Sequence, residues 1–406
     1  FVHLHVHSQF SILDGASSIK GLVEKAKNLK MRALAITDHG NMFGIKEFIN
    51  VVSKSNEKIS KEIEALNLQI SNKDERPNQE SLENLNQKIK TLQEQKLKPI
   101  IGCEAYVASN SRFSRTDKDD RSGNHLILLA KNKTGYHNLT KMVSYSWTEG
   151  FYYKPRIDRQ FLADHSEGLI ATTGCLSGIV PRALQAGQEE RALSDLDWYY
   201  EVFGRERFFF ELQDHKVPEL PALNKKLIEL AKRYNGRIIA ANDVHYIRRE
   251  DAELQDILLC IQTGSVLSDP KRMRMTDDSY YLRSPQEMQA LFGHIPGAIE
   301  NTVAIAERCE VDLDFHGYQL PQFEVPEGYD AHSYLRELCV KGLRSRYGAR
   351  VDDPDVRQRL EYELGVIHQM GFDAYFLIVW DLCRFSLENG IWYLSLIHIS
   401  EPTRPY

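Results

Sequence analysis

Apolar and polar positions alternate along the first 246 residues in a way that predicts short strands separated by helices. Several apolar runs, such as PIIGCEAYV at 99–107, are continuous, as in strands that are buried on both faces. The predicted strands are 1–7, 32–37, 99–107, 125–131, 168–173, 207–213 and 237–242. Most intervening segments, for instance 18–29 and 220–234, have helical spacing. Strands that alternate with helices indicate a parallel sheet, and seven such units indicate a closed or nearly closed barrel.

The opening segment, FVHLHVHSQFSILDG, carries three histidines at alternate positions. In a regular strand His3, His5 and His7 would share one face, and Val2, Leu4 and Val6 the other. Imidazoles in register, followed by Asp14, are typical of a site for a divalent metal ion.

Residues 53–98 interrupt the alternation of strands and helices and are rich in Lys, Glu, Asn and Gln. Apolar positions recur at helical spacing on both sides of Pro77, namely Ile59, Ile63, Leu66 and Ile70 before it and Leu82, Leu85, Ile89 and Leu92 after it. This pattern predicts an antiparallel helical hairpin inserted into the barrel. The hairpin is either an arm for docking a partner or a solvated insertion, and its polar faces favour the latter.

The pattern changes near residues 270–285, where we predict a boundary between a barrel domain, 1–275, and a mainly helical domain that begins at 276. Helices are expected over 286–309, 330–346 and 355–390, the last broken near Gly371.

Composition narrows the class of protein. The 406 residues are 42% hydrophobic and carry a net charge of −6, so any contact with DNA has to use local basic patches. No apolar run approaches the length of a membrane span, and the N-terminus lacks the pattern of a signal peptide. The six cysteines form no CxxC pair, which favours a reducing cytoplasm over a disulfide framework or a zinc finger.

Polar residues cluster at the ends of the predicted strands. Asp38 and His39 follow the second strand, Glu104 lies on the third, His125 opens the fourth, Cys175 follows the fifth, and Asp243 and His245 follow the seventh. In a barrel these ends meet, so we predict one metal site with more ligands than a single ion can use. Two or three metals about 3.5–4 Å apart would activate a water for phosphoester hydrolysis. An amidohydrolase is the alternative, but mixed Asp, Glu, His and Cys ligation favours phosphate.

Six motifs lie on or beside the predicted strands: HLHVHSQFSILDG, AITDHGNMFGIKEF, PIIGCEAYV, HLILLAKNKTGYHNL, TTGCLSG and AANDVHY. They resemble one family, the polymerase-and-histidinol-phosphatase (PHP) domain of bacterial replicative DNA polymerase III alpha subunits, which are C-family polymerases. The resemblance extends over about 1–393 apart from the hairpin. It implies an α/β fold, a distorted (β/α)7 TIM-like PHP barrel that precedes a mainly helical segment leading to the thumb and palm.

The resemblance also implies a metal-ligand set. It consists of His5, His7, Asp14, His39, Glu104, His125, Cys175, Asp243 and His245. These residues would hold two or three Zn²⁺ and/or Mn²⁺ ions, and the water that they activate would give a 3′–5′ exonuclease with no separate base assigned. His3 is expected to be a barrel residue, and Asp38 to orient His39 or cap the next helix.

The second domain carries further segments similar to the same polymerases, among them TDDSYYLRSPQEM and ELGVIHQMGFDAYFLIVWDL. The resemblance implies DNA synthesis by the full-length protein, with Mg²⁺ in a palm whose carboxylates come after this chain. It implies primer–template DNA, dNTPs, a sliding clamp, a clamp loader and a proofreading subunit as partners, a cytoplasmic location and no membrane. Residues 394–406, LSLIHISEPTRPY, are foreign to the family and resemble a translated sequencing adaptor; a divergent natural tail is the alternative.

The segment SYSWTEGFYYKPRIDR mixes aromatic and basic residues. Aromatic rings stack on frayed bases while cations hold the backbone, so we predict DNA contacts at Tyr152, Lys154, Arg156 and Arg159. Packing of the rings under a loop is the alternative. Three functions stay open at this point: a polymerase fragment with an active exonuclease, a stand-alone phosphatase of small phosphomonoesters such as histidinol phosphate, and an inert module that metals only stabilise.

Overall fold

A computed structural model describes residues 1–71, 79–116, 121, 123–275, 277–313 and 320–392. The chain forms two compact units, Phe1–Leu313 and Asp314–Tyr406. The first unit therefore continues past the boundary predicted at 275, because residues 282–309 supply side chains to its core. Residues 394–406, the predicted non-native tail, lie outside the described residues, as does Pro77 of the hairpin.

The first unit is built around one seven-stranded sheet, which confirms the predicted α/β class. Its strands are β1 (Ala33–Ile36), β2 (Lys98–Val107), β3 (Asn124–Ala130), β4 (Arg156–Ile157), β5 (Leu169–Thr172), β6 (Phe208–Leu212) and β7 (Arg237–Ala240). The spatial order is β1-β2-β3-β5-β6-β7, and the short β4, which the sequence did not predict, pairs with β2.

The expectation of an entirely parallel sheet is wrong at β3. This strand is antiparallel to both of its neighbours, β2 and β5, whereas the β1–β2, β5–β6 and β6–β7 pairs are parallel. The described residues between β2 and β3 contain no α-helix, so the chain returns directly instead of crossing over. As a result His125, the second residue of β3, lies at the same end of the sheet as the last residues of the parallel strands.

The first seven residues form an extended segment rather than a regular strand, and this segment joins the two edges of the sheet. The carbonyl of His3 accepts from the Ala35 amide beside β1 (3.0 Å), and the His7 amide donates to Val244 after β7 (2.7 Å). The chain bends at His5. Because of this bend the strict alternation of faces fails. Val2 and Leu4 lie in the core inside the barrel, here called the inner core, whereas Val6 lies in the core between the sheet and its helices, here called the outer core. The three histidines therefore do not share a face.

Helices cover the outside of the sheet. They are α1 (Ile19–Asn28), α2 (Ile45–Ser71), α3 (Gln79–Gln95), α4 (Lys133–Thr148), α5 (Arg159–Asp164), α6 (Ile179–Gln185), α7 (Glu189–Phe203), α8 (Leu220–Tyr234), α9 (Ala252–Thr263), α10 (Pro285–Phe292) and α11 (Glu300–Arg308). Ser18 starts α1 by accepting a hydrogen bond from the Gly21 amide. The predicted helices at 18–29 and 220–234 are confirmed, and 286–309 is two helices separated at Gly293.

Side chains that face the barrel interior change from apolar to polar along each strand. Ile100 of β2, Ile127 of β3 and Phe209 of β6 belong to the inner core, which also includes Ile305 of α11. Two residues towards the other end, His125 follows Ile127 in the same alternation and Glu211 follows Phe209. One end of the barrel interior is therefore packed and the other carries ionisable groups.

The inserted helical hairpin is confirmed. Helix α2 continues without a break from the barrel into the insertion, and α3 returns along it. Ile63, Leu66, Ile89 and Leu92 form a small core of their own. At the base of the hairpin the Asn56 amide group donates to the Leu97 carbonyl (2.8 Å) and accepts from the Leu97 amide (3.1 Å).

The described residues of the second unit form three α-helices, α12 (Ala331–Tyr347), α13 (Pro354–Gln369) and α14 (Asp373–Glu388), around Leu335, Leu364 and Leu377. The predicted break falls at Gly371, whose φ of 72° lies in the left-handed region that glycine adopts readily. Among the described helices of the whole chain, none is both long and apolar enough to span a membrane.

Candidate metal centre

The structure brings all nine predicted ligands together at the polar end of the barrel interior. They are His5, His7, Asp14, His39, Glu104, His125, Cys175, Asp243 and His245, and each has a donor atom within 3.7 Å of another member. Elements far apart in the sequence supply them: the opening segment, the turn after β1, strands β2 and β3, and the turns after β5 and β7.

A first group of donor atoms consists of His5, His7 and Asp243. The Nε2 atoms of the two histidines are 3.2 Å apart, and Asp243 Oδ1 lies 3.0 Å from His5 Nε2 and 3.2 Å from His7 Nε2. Atoms bound to one ion at about 2.1 Å lie about 3–3.5 Å from each other, so this triangle has the size of a metal site. Asp243 has a φ of 47°, a left-handed conformation that directs the backbone sharply after β7.

A second group surrounds Glu104. One carboxylate oxygen lies 2.7 Å from His125 Nδ1, and the other lies 2.7 Å from His39 Nδ1. The Cys175 thiol is 3.6 Å from His125 Nδ1 and 3.7 Å from Glu104. Glu104 is only 1% exposed, although it lies on a strand of apolar residues.

A third group faces the opening. His39 Nε2 lies 2.9 Å from Asp14 Oδ2, and His245 Nε2 lies 3.7 Å from the same oxygen. The ring of His7 packs beside both histidines, with centroids 4.1 Å from His39 and 4.3 Å from His245. His7, His39 and His245 each offer a donor nitrogen within 4.8 Å of the other two.

Three buried polar atoms in the cluster have no hydrogen-bond partner: His39 Nδ1, Glu104 Oε2 and Asp243 Oδ1. Each lies within 2.7–3.3 Å of another donor atom of the cluster, yet none is oriented for a hydrogen bond. Buried polar atoms without partners are costly, and a cation between them would satisfy all three at once. The donor set of nitrogen, carboxylate oxygen and one sulfur suits Zn²⁺ or Mn²⁺.

The electrostatics of the cluster fit a site for cations. Burial alone would raise the pKa of Glu104, but the imidazoles of His125 and His39 hold that pKa well below its usual range. Burial would raise the pKa of Asp243 as well, and His5 and His245 hold it well below its usual range. Carboxylates that stay ionised while buried require positive charge beside them, from protons on the histidines or from metal ions.

The pKa values of two histidines, His39 and His5, are raised. Burial disfavours the charged form of His39, but Glu104 and Asp14 outweigh it and raise the pKa of His39 to about 10. The carboxylates of Asp243 and Glu211 likewise raise the pKa of His5 well above its ordinary value against the effect of burial. Burial raises the pKa of the Cys175 thiol well above its ordinary value.

Two residues that the sequence analysis did not select position the first group. Glu211 of β6 lies 2.7 Å from His5 Nδ1 and accepts a hydrogen bond from Thr172 (2.5 Å). Ser11 lies 2.9 Å from His7 Nδ1. The signal for Glu211 is present in the sequence, since it is a carboxylate within an apolar strand, FFFEL, as Glu104 is within IIGCEAYV.

Asp38 and His3 lie behind the cluster. Asp38 accepts hydrogen bonds from Ser8 and from the Ser11 hydroxyl (2.8 Å), so it acts on His7 through Ser11 rather than on the His39 ring. His3 is fully buried, and its Nε2 lies 2.8 Å from the Arg283 carbonyl, away from the nine residues.

The four candidate DNA contacts differ in how exposed they are and in the partners they already have. Arg156 does not fit this role, because its guanidinium is fully buried and donates to the carbonyls of Gly150, Arg112 and Ser114. Arg159 is paired with Asp195 and packs on Trp198. Tyr152 and Lys154 remain partly exposed.

Comparisons with known proteins identify the family of the chain. Residues 3–215, more than half of the chain, match the PHP domain family. The chain belongs to this family. Residues 333–395 match a family described as the bacterial DNA polymerase III alpha NTPase domain. Among solved structures, an amidohydrolase from Chromobacterium violaceum has a TM-score of 0.31 at 14% identity and covers 60% of this chain and 87% of its own.

Curated relatives match nearly the whole chain, including the residues that follow the PHP match. DNA polymerase III subunit alpha of Borreliella burgdorferi is 40% identical over 394 residues, that of Treponema pallidum is 42% identical over 393, and that of Thermus aquaticus is 36% identical over 455. Each comparison covers 96% of this chain but only 30–34% of the relative. This PHP protein thus spans about a third of the length of these relatives.

Proposed function

We propose that the nine-residue cluster is a polynuclear metal centre that hydrolyses phosphodiester bonds and removes nucleotides from a 3′ end. The observation that carries the proposal is the set of three buried, unpartnered donor atoms on His39, Glu104 and Asp243, which lie among further nitrogen and oxygen donors. A structural zinc site needs four ligands, whereas two or three ions use nine. Several neighbouring ions suit an in-line phosphoryl displacement.

The nine residues would bind the metal ions in groups. His5, His7 and Asp243 would hold one ion, and His39, Glu104 and His125 a second. Asp14, Cys175 and His245 would complete the set of nine. Zn²⁺ or Mn²⁺ in these places would supply Lewis acidity towards a phosphate oxygen and would lower the pKa of water.

The protein itself would determine from which side a phosphodiester approaches and how the imidazole rings are oriented. His5, His7 and Glu104 have at most 1% side-chain exposure, whereas Asp14, His39 and His125 keep 13–18%. A phosphodiester therefore approaches from the side of Asp14, His39 and His125. The hydrogen bonds of Glu211 and Ser11 to the far nitrogens of His5 and His7 leave the Nε2 atoms facing the substrate side.

We also propose that the chain is the N-terminal region of a replicative polymerase, as the curated relatives suggest. In that setting the complete protein would synthesise DNA on a primer–template with Mg²⁺ and dNTPs, and would meet a sliding clamp, a clamp loader and a proofreading subunit in the cytoplasm. The metal centre would then remove mispaired nucleotides.

The test is a 5′-labelled primer with a 3′ mismatch, incubated with the purified protein and Zn²⁺ or Mn²⁺. We expect shortening from the 3′ end, and we expect Asp243→Asn to slow it about 100-fold or more, since the metals contribute several kcal/mol of transition-state stabilisation. Glu206→Gln is the matched control, because Glu206 is exposed and pairs only on the surface with Arg237. Activity confined to small phosphomonoesters would indicate a phosphatase, and metal binding without cleavage would indicate a structural centre.

A further inference from the structure

We propose that Phe43, Trp147 and Phe151, here called the aromatic platform, stack on an unpaired nucleobase and so guide single-stranded nucleic acid to the metal centre. This inference rests on the proposed function, because it names how the substrate of that centre is held. None of the three residues belongs to the nine-residue cluster.

The rings of the aromatic platform are ordered and yet exposed. Trp147 and Phe151 are parallel within 16°, with centroids 5.4 Å apart, and Phe43 lies 6.2 Å from Trp147. Their exposed fractions are 42%, 45% and 57% for Trp147, Phe151 and Phe43. Large rings that are stacked on one another and stay partly exposed leave ring surface available, which is the arrangement that stacks on bases without sequence preference.

A hydrogen bond fixes the aromatic platform beside the candidate metal centre. Trp147 Nε1 donates to the Gly40 carbonyl at 2.8 Å, and Gly40 directly follows His39. Gly40 has a φ of 58°, and a Cβ at this position would lie 2.6 Å from Pro155 and 3.1 Å from Tyr106. The close approach of this turn to its neighbours therefore requires glycine, and the turn joins the indole to a ligand residue.

A cation lies over the ring of Tyr106, which is next to two residues of the cluster. Lys154 Nζ is 5.4 Å from the centroid of the Tyr106 ring. That ring lies 5.9 Å from His39 and 5.1 Å from His125. An ammonium group next to the open side of the cluster attracts phosphate, so base-stacking and backbone-binding groups occur together as single-stranded nucleic acid requires.

The chemistry of the aromatic platform favours a single strand over a duplex. A base can insert against Trp147 or Phe151 only if it leaves its own stack, which costs least at a mismatched or frayed end. A stacking site beside a hydrolytic centre thus selects unpaired 3′ ends before any bond is broken.

The experiment measures binding separately from hydrolysis. A 5′-fluorescein oligothymidylate with phosphorothioate linkages at its 3′ end is titrated with the protein in EDTA, and its anisotropy gives Kd. We expect Phe151→Ala to raise Kd about 5-fold or more, Phe151→Leu to behave like alanine, and Phe151→Trp to stay near the wild type, because stacking needs a π-face and not merely apolar volume. Phe113→Ala is the matched control, since Phe113 is 58% exposed and lies outside the aromatic platform.

The outcomes separate the two proposals. Ring-dependent binding by a protein that cleaves no 3′ end would support the aromatic platform and reject the exonuclease. Cleavage with a Kd that Phe151→Ala and Phe43→Ala leave unchanged would reject the aromatic platform and keep the exonuclease. A Kd equally weakened by Phe113→Ala would also reject it, because the effect would then not be specific to the three rings.

Discussion

His5 depends on Glu211 for the direction of its ring. The 2.7 Å contact between Glu211 and His5 Nδ1 leaves Nε2 to face His7 and Asp243. We expect Glu211→Gln to lower metal affinity about 10- to 100-fold, because the neutral amide holds the imidazole less firmly and makes its other nitrogen a weaker ligand. Titration with Zn²⁺ followed by calorimetry measures the change.

The same titration of Glu201→Gln provides the control, since Glu201 is exposed on α7. Unaltered affinity in Glu211→Gln, with the wild-type melting temperature, would show that Glu211 only fills the barrel.

His215 makes stability depend on pH. Burial lowers the pKa of His215 from 6.5 to about 4, while its ring stacks on Tyr280. The unfolded chain binds this proton below pH 6.5 and the folded chain only near pH 4, so stability is present above pH 6.5 and is lost as the pH falls through that window. Relative to His215→Gln, the wild type should lose on the order of 2–3 kcal/mol more between pH 7 and pH 4. Urea unfolding at several pH values tests this, and parallel curves for the two proteins would contradict it.

Residue types at the predicted strand ends, together with the family resemblance, predicted which side chains lie together, but not the details that tertiary contacts decide. All nine predicted ligands lie together, because the ends of the strands that carry them meet at one end of the barrel. Sequence could not show that Arg156 is buried among three carbonyls, since a basic residue shortly after two tyrosines is equally typical of a DNA contact. The bend at His5, which changes the faces of the opening segment, is likewise set by its hydrogen bonds on two sides.

At the scale of elements, the hairpin of α2 and α3 carries its own core and contributes no residue to the metal centre. Replacing residues 58–94 by a short Gly-Ser linker should leave metal content and cleavage rate within about twofold, because the cost of closing a flexible loop is small. The base stays closed by Asn56 and Leu97. Metal analysis and the primer assay measure the outcome. Asn56→Ala in the intact chain shows how much the hydrogen bonds between Asn56 and Leu97 contribute on their own. A large loss of cleavage with normal metal content would make the hairpin a part of the substrate site.

The elements also show why sequence-based topology failed at one strand. The apolar runs of β2 and β3 resemble those of the parallel strands, because both faces of each are covered. Only the absence of an α-helix from the described residues between β2 and β3 indicates an antiparallel return. Without that return His125 would lie at the packed end of the barrel, far from Glu104, so the exception in the sheet completes the cluster.

At the scale of the whole molecule, the boundary between the two units can be tested by truncation. Leu282, Met288 and Phe292 enter the outer core, and Ile305 closes the inner one. Burial of each contributes about 1.5–3 kcal/mol, so a fragment of residues 1–275 would lose about 6–12 kcal/mol, comparable to the whole stability of a domain.

We therefore expect a fragment of residues 1–313 to unfold in one cooperative calorimetric transition and to bind Zn²⁺ as the full chain does. The shorter fragment of residues 1–275 should show no such transition, although it contains every one of the nine ligands, because the Val2 amide loses its bond to Thr302 and the His3 ring its bond to Arg283. Those two bonds hold the opening segment that carries His5 and His7. Equal melting of the two fragments would mean that α10 and α11 pack on the barrel without supporting it, and the ligands would then be fixed by the strands alone.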